Sequence, residues 1–203
     1  MRGMDGIGWA ASAMSAARAR LDVAAENLAN GSTGAFHRTL LRDVLGSAGV
    51  SMLQARDESQ GALRRTGRPF DLAIVGKGTF RVQAPGGKLQ ESRDGAFRRD
   101  RFDRLVDAQG RFLLGSAGPV RVPNRAKIER DGVIDLDGVF LNRIPLPRGT
   151  TLRTGFLESS NVDAIGEMVD MLSAERSFET AQKVLTTIDQ TRERAASQVG
   201  TLK

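Results

Sequence analysis

Cysteine and tyrosine are absent from the 203 residues of this chain, and tryptophan and histidine occur once each. The lack of cysteine excludes disulfide bonds and thiolate chemistry, and it leaves the redox compartment open. Because aromatic residues make up only 5% of the chain, a sizeable core must rely on aliphatic side chains and the nine phenylalanines. Hydrophobic residues at 40% and charged residues at 27% are nevertheless typical of a globular protein.

Long apolar runs are also missing. No stretch approaches the roughly 20 consecutive apolar residues of a transmembrane helix, so we expect no direct membrane insertion. The Ala-rich N-terminal segment is interrupted by Arg18 and Arg20 and passes into Asp22 and Glu26, without an apolar h-region. It does not fit a secretory signal peptide. We therefore expect that any route out of the cytoplasm uses no cleaved signal.

Residues that carry catalytic or metal chemistry are scarce. The single histidine, His37, has no cysteine and no motif partner, and we interpret it as a polar surface residue. Gly76-Lys77-Gly78 lies between two predicted strands with no helix after it, so it predicts a turn and not a phosphate loop. The acidic residues at 131, 135 and 137 match a calcium loop only in part. The sequence therefore predicts no catalytic residue, no cofactor and no metal site, and we expect that the protein is not an enzyme.

The net charge of +6 at pH 7 raises the question of an acidic partner. The surplus is concentrated in residues 61–158, where 19 basic residues exceed 11 acidic ones by 8. In residues 98–104, however, arginines alternate with Asp100 and Asp103, which favours a salt-bridged surface over a phosphate track. We expect no nucleic-acid partner. A basic binding module for an acidic polymer or nucleic acid stays the alternative function, and a wall hydrolase is disfavoured because no acid–base pair is visible.

The N-terminal segment predicts a helix from Asp5 to Ala29. Small and apolar residues recur in heptad steps, with Arg18 as the charged position. This seam consists of Ile7, Ala11, Met14, Leu21, Ala25 and Leu28. Since the flanking residues are mostly alanine, the helix buries little area alone but allows close approach of a neighbouring helix. It ends at residues 30–34, where Asn30, Gly31 and Gly34 are expected to supply the positive φ of a C-cap and turn.

The middle of the chain has no helical period. Residues 35–60 are compatible with a short helix or an extended arm that ends at Gly46. From Phe70 to Arg153 about eight short strands alternate with turns, including Asp131-Gly132 and Asp137-Gly138, which are strong hairpin signals. The predicted strands include 72–75, 79–83, 105–106, 112–114, 120–122, 127–130, 133–136 and 139–144. Such spacing suggests a small barrel or twisted sandwich.

A second, longer helix is predicted after Ser159-Ser160-Asn161, which offers N-cap chemistry, with Asp163 and Glu167 near its positive end. An apolar stripe begins with Val162, Ile165, Val169 and Leu172. A longer seam then follows in steps of three and four residues. It consists of Met171, Ala174, Phe178, Ala181, Leu185, Ile188, Arg192, Ala195, Val199 and Leu202. A helix of about 60 Å outreaches a module of this size, so we predict that both seams are assembly interfaces.

The predicted fold class is α+β, with long N- and C-terminal helices forming a coiled-coil layer and a central small all-β domain of barrel or sandwich type. The predicted domains are an N-terminal coiled-coil helix at 1–34, an arm or linker at 35–66, a central β domain at 67–155 and a C-terminal coiled-coil helix at 156–203. Two apolar seams at the ends of one chain favour assembly over catalysis.

Four blocks of sequence resemble one family. The first holds Asn27, Leu28, Ala29, Asn30, Thr33 and Phe36, and the last holds Glu158, Ser160, Asn161 and Val162. Between them lie TGRPFDLAIVGKGTF at 66–80 and SRDGAF at 92–97. In this order they resemble the flagellar basal-body rod, hook and hook-associated axial proteins. One departure is Ala35, which separates Gly34 from Phe36, where the usual signature has glycine directly before phenylalanine.

This resemblance implies a structural axial subunit of the bacterial flagellar rod, exported unprocessed by the flagellar type III apparatus. Such proteins stack helically in the periplasm, with their terminal helices forming an inner coiled-coil layer. The implied partners are copies of the chain, other rod and hook axial proteins and, transiently, the export apparatus. No cofactor is implied. The short length and residues 115–123 are most similar to a proximal-rod member.

Overall fold

The computed structural model describes the backbone of residues 6–46 and 49–200 and the side chains of residues 6–43 and 52–194. The chain divides into two compact units. The helical unit comprises Met1–Gly31, Arg38–Asp57 and Val162–Lys203, and the β-rich unit comprises Ser32–His37 and Glu58–Asn161. With a helix near each end and a β-rich region between them in the sequence, the predicted α+β class is confirmed.

The described residues form two helices and fifteen strands. The helices are α1 (Gly6–Ala29) and α2 (Ala164–Gly200). The strands are β1 (Thr39–Gly46), β2 (Gly49–Arg56), β3 (Leu63–Arg65), β4 (Leu72–Val75), β5 (Phe80–Gln83), β6 (Leu89–Ser92), β7 (Arg98–Arg99), β8 (Leu105–Val106), β9 (Phe112–Gly115), β10 (Gly118–Pro119), β11 (Lys127–Ile128), β12 (Val133–Leu136), β13 (Val139–Arg143), β14 (Thr151–Thr154) and β15 (Phe156–Glu158).

In the helical unit, α1 packs against α2 through small side chains. Ala10, Ala17 and Ala24 of α1 recur every seven residues and are buried, as are Ala174 and Ala181 of α2. A heptad of alanines keeps one face of a helix small, so the two backbones approach closely. Helix α1 ends where predicted, at Ala29.

The start of α2 differs from the prediction. Asp163 caps it: Oδ1 accepts the N–H of Ile165 at 3.1 Å, and the backbone carbonyl accepts the N–H of Glu167 at 2.9 Å. The predicted cap at Ser159-Ser160-Asn161 is wrong, because the Asn161 side chain donates instead to the carbonyl of Ser59 at 2.9 Å. Asp163 is as good an N-cap residue as asparagine or serine, so local chemistry did not decide between them.

Residues 39–46 and 49–56 form two long paired β-strands, which resolves the ambiguity between a helix and an extended arm. Strands β1 and β2 pair antiparallel in unbroken register from Thr39 opposite Arg56 to Gly46 opposite Gly49. Strand β1 ends at Gly46, where the ambiguous segment was predicted to end. The apolar pattern of residues 36–45 suits either state, and the pairing with 49–56 selects the strand.

The β-rich unit contains antiparallel sheets. The largest runs β6-β5-β9-β8-β7 with β10 paired to β9, and β11-β12-β13 form a second sheet. Strand β14 pairs with β4, and β15 pairs with β3. Phe80 and Phe97 meet edge to face with ring centroids 5.3 Å apart. The buried core also contains Leu72, Ile74, Val82, Leu105, Leu113, Val120, Val122, Ile134, Ile144 and Leu152. Burial of each such side chain contributes about 1.5–3 kcal/mol.

One turn geometry recurs between strands. In residues 100–104 and 107–111, the first N–H donates to the fifth carbonyl at 2.9 and 3.0 Å, and the fourth N–H donates to the first carbonyl at 3.1 Å. The fourth residue, Asp103 or Gly110, has a positive φ of 61° or 78°. The same hydrogen bonds close residues 84–88 and 129–133. This is a three-residue hairpin loop. Its closing residue has the left-handed backbone conformation, which glycine adopts most easily.

The two hairpin signals Asp131-Gly132 and Asp137-Gly138 are confirmed as turns. Asp137 and Gly138 both have positive φ, as a two-residue type I′ turn requires. The strands predicted near 72–75, 79–83, 105–106, 112–114, 127–130, 133–136 and 139–144 are also present with small changes of bounds. The strand predicted at 120–122 is wrong: Arg121 makes only an isolated bridge with Arg104, although Val120 and Val122 are fully buried.

Candidate assembly interface

The predicted seam of α1 does not coincide with its buried face. Ile7, Met14, Leu21 and Leu28 are half-buried, and Ala11 and Ala25 are exposed. The buried side chains are Ala10, Ala17, Val23, Ala24 and Asn27, mostly one position earlier in the heptad. The smaller alanines face α2 because helix approach is limited by side-chain size. The assembly role of the predicted seam stays a prediction.

The predicted seam of α2 lies toward α1 of the same chain. Ala174 and Ala181 are buried, and Met171, Phe178, Leu185 and Ile188 are half-buried. Ala17 and Leu21 line one cavity with Ala174 and Phe178. A Cβ added at Gly6 would lie 3.1 Å from Ile188 Cδ1, so α1 begins opposite Ile188. The side chains of Ala195 and Val199, and Leu202 altogether, lie outside the described residues.

A different surface of the helical unit is exposed and apolar. Trp9, Ala13, Val169, Leu172 and Val184 line a groove of about 960 Å³, which we call the apolar groove. The exposed fraction is 54% for Trp9, 59% for Val169 and 56% for Leu172. Ile165 and Met168 extend the exposed stripe on α2 toward its N-terminus. The sequence pattern identified Ile165, Val169 and Leu172, whereas Trp9 and Val184 join them only through the pairing of the helices.

The Asn27 side chain is buried and joins α1 to β1. Its Nδ2 donates to the carbonyl of Thr39 at 2.9 Å, and its Oδ1 accepts the Thr39 N–H at 2.8 Å. In the same motif Leu28 is half-buried and Ala29 exposed. Asn30 closes the helix end, since its N–H and its Nδ2 both donate to the carbonyl of Glu26, at 3.1 and 2.9 Å. The two asparagines of the family motif therefore stabilise the end of α1 and its connection to β1 within the chain.

In the turn after α1, the positive φ belongs to a residue other than the asparagine and glycines for which it was expected. Asn30, Gly31 and Gly34 do not have positive φ, so that prediction is wrong. Ala35 instead has a φ of 55°. Its N–H donates to the carbonyl of Glu158 at 2.9 Å, and the N–H of Phe36 donates to the carbonyl of Thr33 at 3.3 Å. Ala35 thus stands in the conformation that suits glycine, immediately before Phe36.

The second motif, Ser160-Asn161-Val162, follows β15. The N–H of Asn161 donates to the carbonyl of Phe36 at 3.3 Å, which joins the two motifs within the β-rich unit. Its Nδ2 also lies 3.1 Å from the hydroxyl oxygen of Ser59. Ser160 is half-buried. In the helical unit, half-buried Val162 lies 3.8 Å from a Cβ built on Gly31.

A buried carboxylate, Glu158, is the centre of a polar cluster that the sequence did not indicate. Its Oε2 accepts from Arg93 Nε at 2.7 Å, and its Oε1 accepts from the N–H of Gly61 at 3.0 Å. Gln60 Nε2 lies 3.5 Å from Oε2, and His37 Nε2 lies 3.6 Å from Oε1. His37 is only 7% exposed, so its interpretation as a surface residue is wrong. The fold brings His37 next to this carboxylate, which is far away in the sequence, so the sequence pattern around His37 did not indicate its burial.

The helical unit has its own buried carboxylate. Glu167, in the first turn of α2, is 2% exposed and its Oε1 lies 2.5 Å from Arg38 Nε. Arg38 also donates from Nη2 to Asp170 at 3.2 Å. Glu167 was expected to interact favourably with the positive end of the helix dipole. In the structure its carboxylate also pairs with the guanidinium of Arg38. This cluster fixes the residue before β1 against the start of α2.

In the arginine-rich run 98–104, two arginines form ion pairs with aspartates of the same run. Arg104 Nη2 lies 2.8 Å from Asp100 Oδ2, and Arg99 Nη1 lies 3.5 Å from Asp103 Oδ1. The Arg104 guanidinium also lies over the Phe112 ring at 4.3 Å from its centroid. Partial desolvation raises the pKa of Asp100, but the N–H groups of Arg104 and Phe102 and the Arg104 guanidinium outweigh it, so the pKa is lowered. Two of the four arginines in this run are thus paired with its two aspartates.

In the described part of the chain, no group of three or more histidine or acidic side chains is arranged to hold a metal ion. Of the two helices within residues 6–46 and 49–200, neither combines the length and apolarity that crossing a bilayer requires.

The helices, groove and motifs define an α+β chain whose terminal helices pair through small side chains and expose apolar surface. Three family profiles match in the same order along the chain. "Flagella basal body rod protein" covers residues 7–35, "Flagellar hook protein FlgE/F/G D1 domain" residues 73–140, and "Flagellar basal body rod FlgEFG protein C-terminal" residues 153–198.

Full-length relatives agree with these profiles. The chain is 31% identical to the flagellar basal-body rod protein FlgF of Escherichia coli K12 over 85% of its length and 89% of the relative. It is 28% identical to FlgF of Caulobacter vibrioides over 83% and 86%. It is 27% identical to the rod protein FlgG of Agrobacterium fabrum over 92% and 96%. The chain belongs to the flagellar basal-body rod protein family, which confirms the resemblance of the four sequence blocks.

Proposed function

We propose that this chain is a structural subunit of the bacterial flagellar rod, located in the basal body, which assembles helically with copies of itself and with other axial proteins. Membership of the rod protein family supports the structural role. Under this proposal the rod crosses the periplasm, and the flagellar type III apparatus exports the subunit.

The observation that carries the proposal is the apolar groove on paired terminal helices. Large exposed apolar surfaces usually mark protein–protein contacts, because water contact with them is unfavourable. Trp9, Val169 and Leu172 are each more than half exposed, although all three are apolar. Helices from neighbouring subunits would cover them in a rod. We propose that they form a coiled-coil layer in this way.

The length difference between the helices supports the same proposal for the end of α2. Since α1 begins at Gly6 opposite Ile188, residues 189–200 of α2 extend past the described start of α1 by about 18 Å. The predicted seam residues Ala195 and Val199 belong to this C-terminal part, and Leu202 follows it in the sequence. We propose that neighbouring subunits contact it, while Ala174, Phe178 and Ala181 serve mainly to pair α2 with α1.

The test compares a charged residue in the apolar groove with the same residue on a polar surface. In Leu172→Lys, lysine is a good helix former, so α2 should remain intact while a desolvated charge prevents helix contact. Gln182→Lys, on an exposed polar site of the same helix, is the control. Circular dichroism should be unchanged for both purified variants. In a strain lacking the gene, Leu172→Lys should abolish swimming and the control should restore it.

Equal swimming of both variants would contradict the assembly role of the groove. Export is tested separately by cell fractionation. The chain should reach the periplasm when the flagellar export apparatus is intact and stay in the cytoplasm when that apparatus is disabled. Isolated hook–basal bodies probed for the chain would decide its position, for which we propose the proximal rod because residues 115–123 resemble a proximal-rod member.

The basic excess of residues 61–158 favours a second candidate, a module that binds an acidic polymer. The pairing of Arg99 and Arg104 with neighbouring carboxylates reduces the charge available for it. Binding of the purified chain to heparin or DNA at several salt concentrations tests this candidate. A steep loss of affinity with salt, reduced by replacing Arg98 and Arg101 with glutamine, would support it.

A further inference from the structure

The chain passes between the helical unit and the β-rich unit four times: after residues 31, 37, 57 and 161. The segments next to these four passages are joined to one another by backbone hydrogen bonds. On the β-rich side, Asn161 N–H donates to the carbonyl of Phe36 at 3.3 Å, and Ser159 N–H donates to the carbonyl of Ala62 at 2.8 Å. On the helical side, Asp57 N–H donates to the carbonyl of Arg38 at 2.8 Å. On each side of the passages, the segments are therefore joined by backbone hydrogen bonds within their own unit.

Glu158 is the residue through which these segments meet on the β-rich side. Its backbone carbonyl accepts from Ala35, in the segment 32–37. Its carboxylate accepts from Gly61 at 3.0 Å, in the segment that begins at residue 58, and lies 3.6 Å from His37. The residue itself precedes the last passage after Asn161. One side chain, 1% exposed, thus contacts every segment that enters or leaves the unit.

Arg93 connects this carboxylate to the body of the sheets. Besides Glu158, its guanidinium donates from Nη1 to the carbonyl of Gly78 at 3.0 Å and from Nη2 to the carbonyl of Gly76 at 2.7 Å. Gln60 adds a second link, donating to the carbonyl of Ile74 in β4 and accepting from the N–H of Gly76 at 3.2 Å. A planar guanidinium with three acceptors has little freedom to move.

We propose that His37, Gln60, Gly61, Arg93 and Glu158 form a clasp that holds the four connections rigidly to the β-rich unit. Removing the charge of Glu158 leaves Arg93 with an uncompensated buried guanidinium and weakens the acceptor of Gly61. The connections then open locally without unfolding of the sheets, because the core around Phe80 and Leu113 does not depend on the clasp. Load carried along the chain between the units would no longer be transmitted stiffly, a consequence that rests on the proposed rod function.

Amide hydrogen exchange on the full-length chain tests the clasp itself. In Glu158→Gln, exchange at Ala35, Gly61 and Asn161 should accelerate on the order of tenfold or more, while Val82 and Leu113 stay protected. Asp107→Asn is the matched control. Asp107 is also 2% exposed and its carboxylate pairs with Arg111 at 2.5 Å, but it belongs to a turn far from the connections in the chain. There the acceleration should be confined to Gln109 and Arg111.

Equal exchange of Ala35, Gly61 and Asn161 in Glu158→Gln and in the wild type would overturn the clasp. A uniform acceleration over the whole β-rich unit in both variants would overturn it too, since Glu158 would then be only a general stabiliser. If Glu158→Gln does not fold, Arg93→Lys takes its place. It keeps the charge but loses the contacts with Gly76 and Gly78, so the same three amides should accelerate selectively.

The mechanical consequence has a separate readout. Cells carrying Glu158→Gln should assemble normal numbers of hook–basal bodies but lose swimming speed more steeply than Asp107→Asn cells as viscosity rises. Equal speeds of the two strains at every viscosity would reject the mechanical role. Failure of the wild-type chain to restore swimming to a deletion strain would reject the rod function, while the exchange result would still decide whether the clasp exists.

Discussion

The amide of Asn27 makes two hydrogen bonds to the backbone of Thr39, giving one at 2.9 Å and receiving one at 2.8 Å. Both backbone groups lie at the start of a two-stranded hairpin and are satisfied by this one side chain. A side-chain amide offers a donor and an acceptor side by side on one planar group. An aspartate would repel the Thr39 carbonyl, and alanine would leave both groups unpaired. This pair explains why the end of α1 carries asparagine at this position.

Asn27→Ala should destabilise the helical unit by about 1–3 kcal/mol, because it leaves two backbone groups of Thr39 without their partners in a buried place. The measurement is urea unfolding followed by far-UV circular dichroism. Gln182→Ala, an exposed amide on α2, should change stability by less than about 0.5 kcal/mol. Equal unfolding midpoints for the two variants would show that the Asn27 bonds do not stabilise the unit.

Ala35 has a φ of 55°, so larger branched side chains should not fit its backbone conformation. Ala35→Val should lower stability by about 1–3 kcal/mol through backbone strain. Ala35→Gly should change it by less than about 1 kcal/mol, because relief of strain is offset by glycine's entropy and the lost methyl contacts. Thermal unfolding of the three proteins checks the order. A valine variant as stable as the glycine variant would contradict the left-handed conformation.

Gly110→Ala isolates the effect of a positive φ. A Cβ at Gly110 meets no atom within 4 Å, so only its φ of 78° opposes the substitution. We expect a loss of about 1–2 kcal/mol, measured by chemical denaturation. The control is Gly86→Ala, where the added Cβ also meets open space but φ is not positive. That variant should be neutral or slightly more stable, since alanine restricts the unfolded chain.

Acid should weaken the turn at Asp131. The N–H of Val133, at 3.1 Å, and then the guanidinium of Arg143, at 2.7 Å, lower the pKa of this carboxyl below its ordinary value of 3.8. A pKa that is lower in the folded state stabilises the fold above pH 3.8, and the contribution is lost as pH falls through the folded pKa. Urea midpoints at pH 7, 5, 4 and 3 measure it.

The control for this pH dependence is Asp131→Asn, which cannot ionise. The wild type should be more stable than Asp131→Asn at pH 5–7, and the gap should narrow below pH 3.8. Since the pair is more than half exposed, the difference should shrink in high salt. A gap that is constant between pH 7 and pH 3 would show that the charge of Asp131 does not contribute.

Features set by neighbouring residues were predictable from the sequence. An alanine-rich heptad pattern indicated α1, and an apolar seam in steps of three and four residues indicated α2. Asp137-Gly138 indicated a turn because its two positive φ angles depend only on those residues. Ser159-Ser160-Asn161 failed as a cap because Ser59, far away in the sequence, accepts the Asn161 side chain. Strand β14 was not predicted, since its pairing with β4 is a long-range contact and its pattern alone is weak.

The same division holds for the candidate interface. The sequence by itself determined an α+β chain with apolar seams at both ends, and its four motifs determined the family, because periodicity and short motifs are local properties. Only the tertiary structure decided which helix face is covered within the chain, that Trp9 and Val184 complete an exposed groove, and that His37 is buried beside Glu158. Burial depends on which distant segments meet, and that is a property of the whole fold.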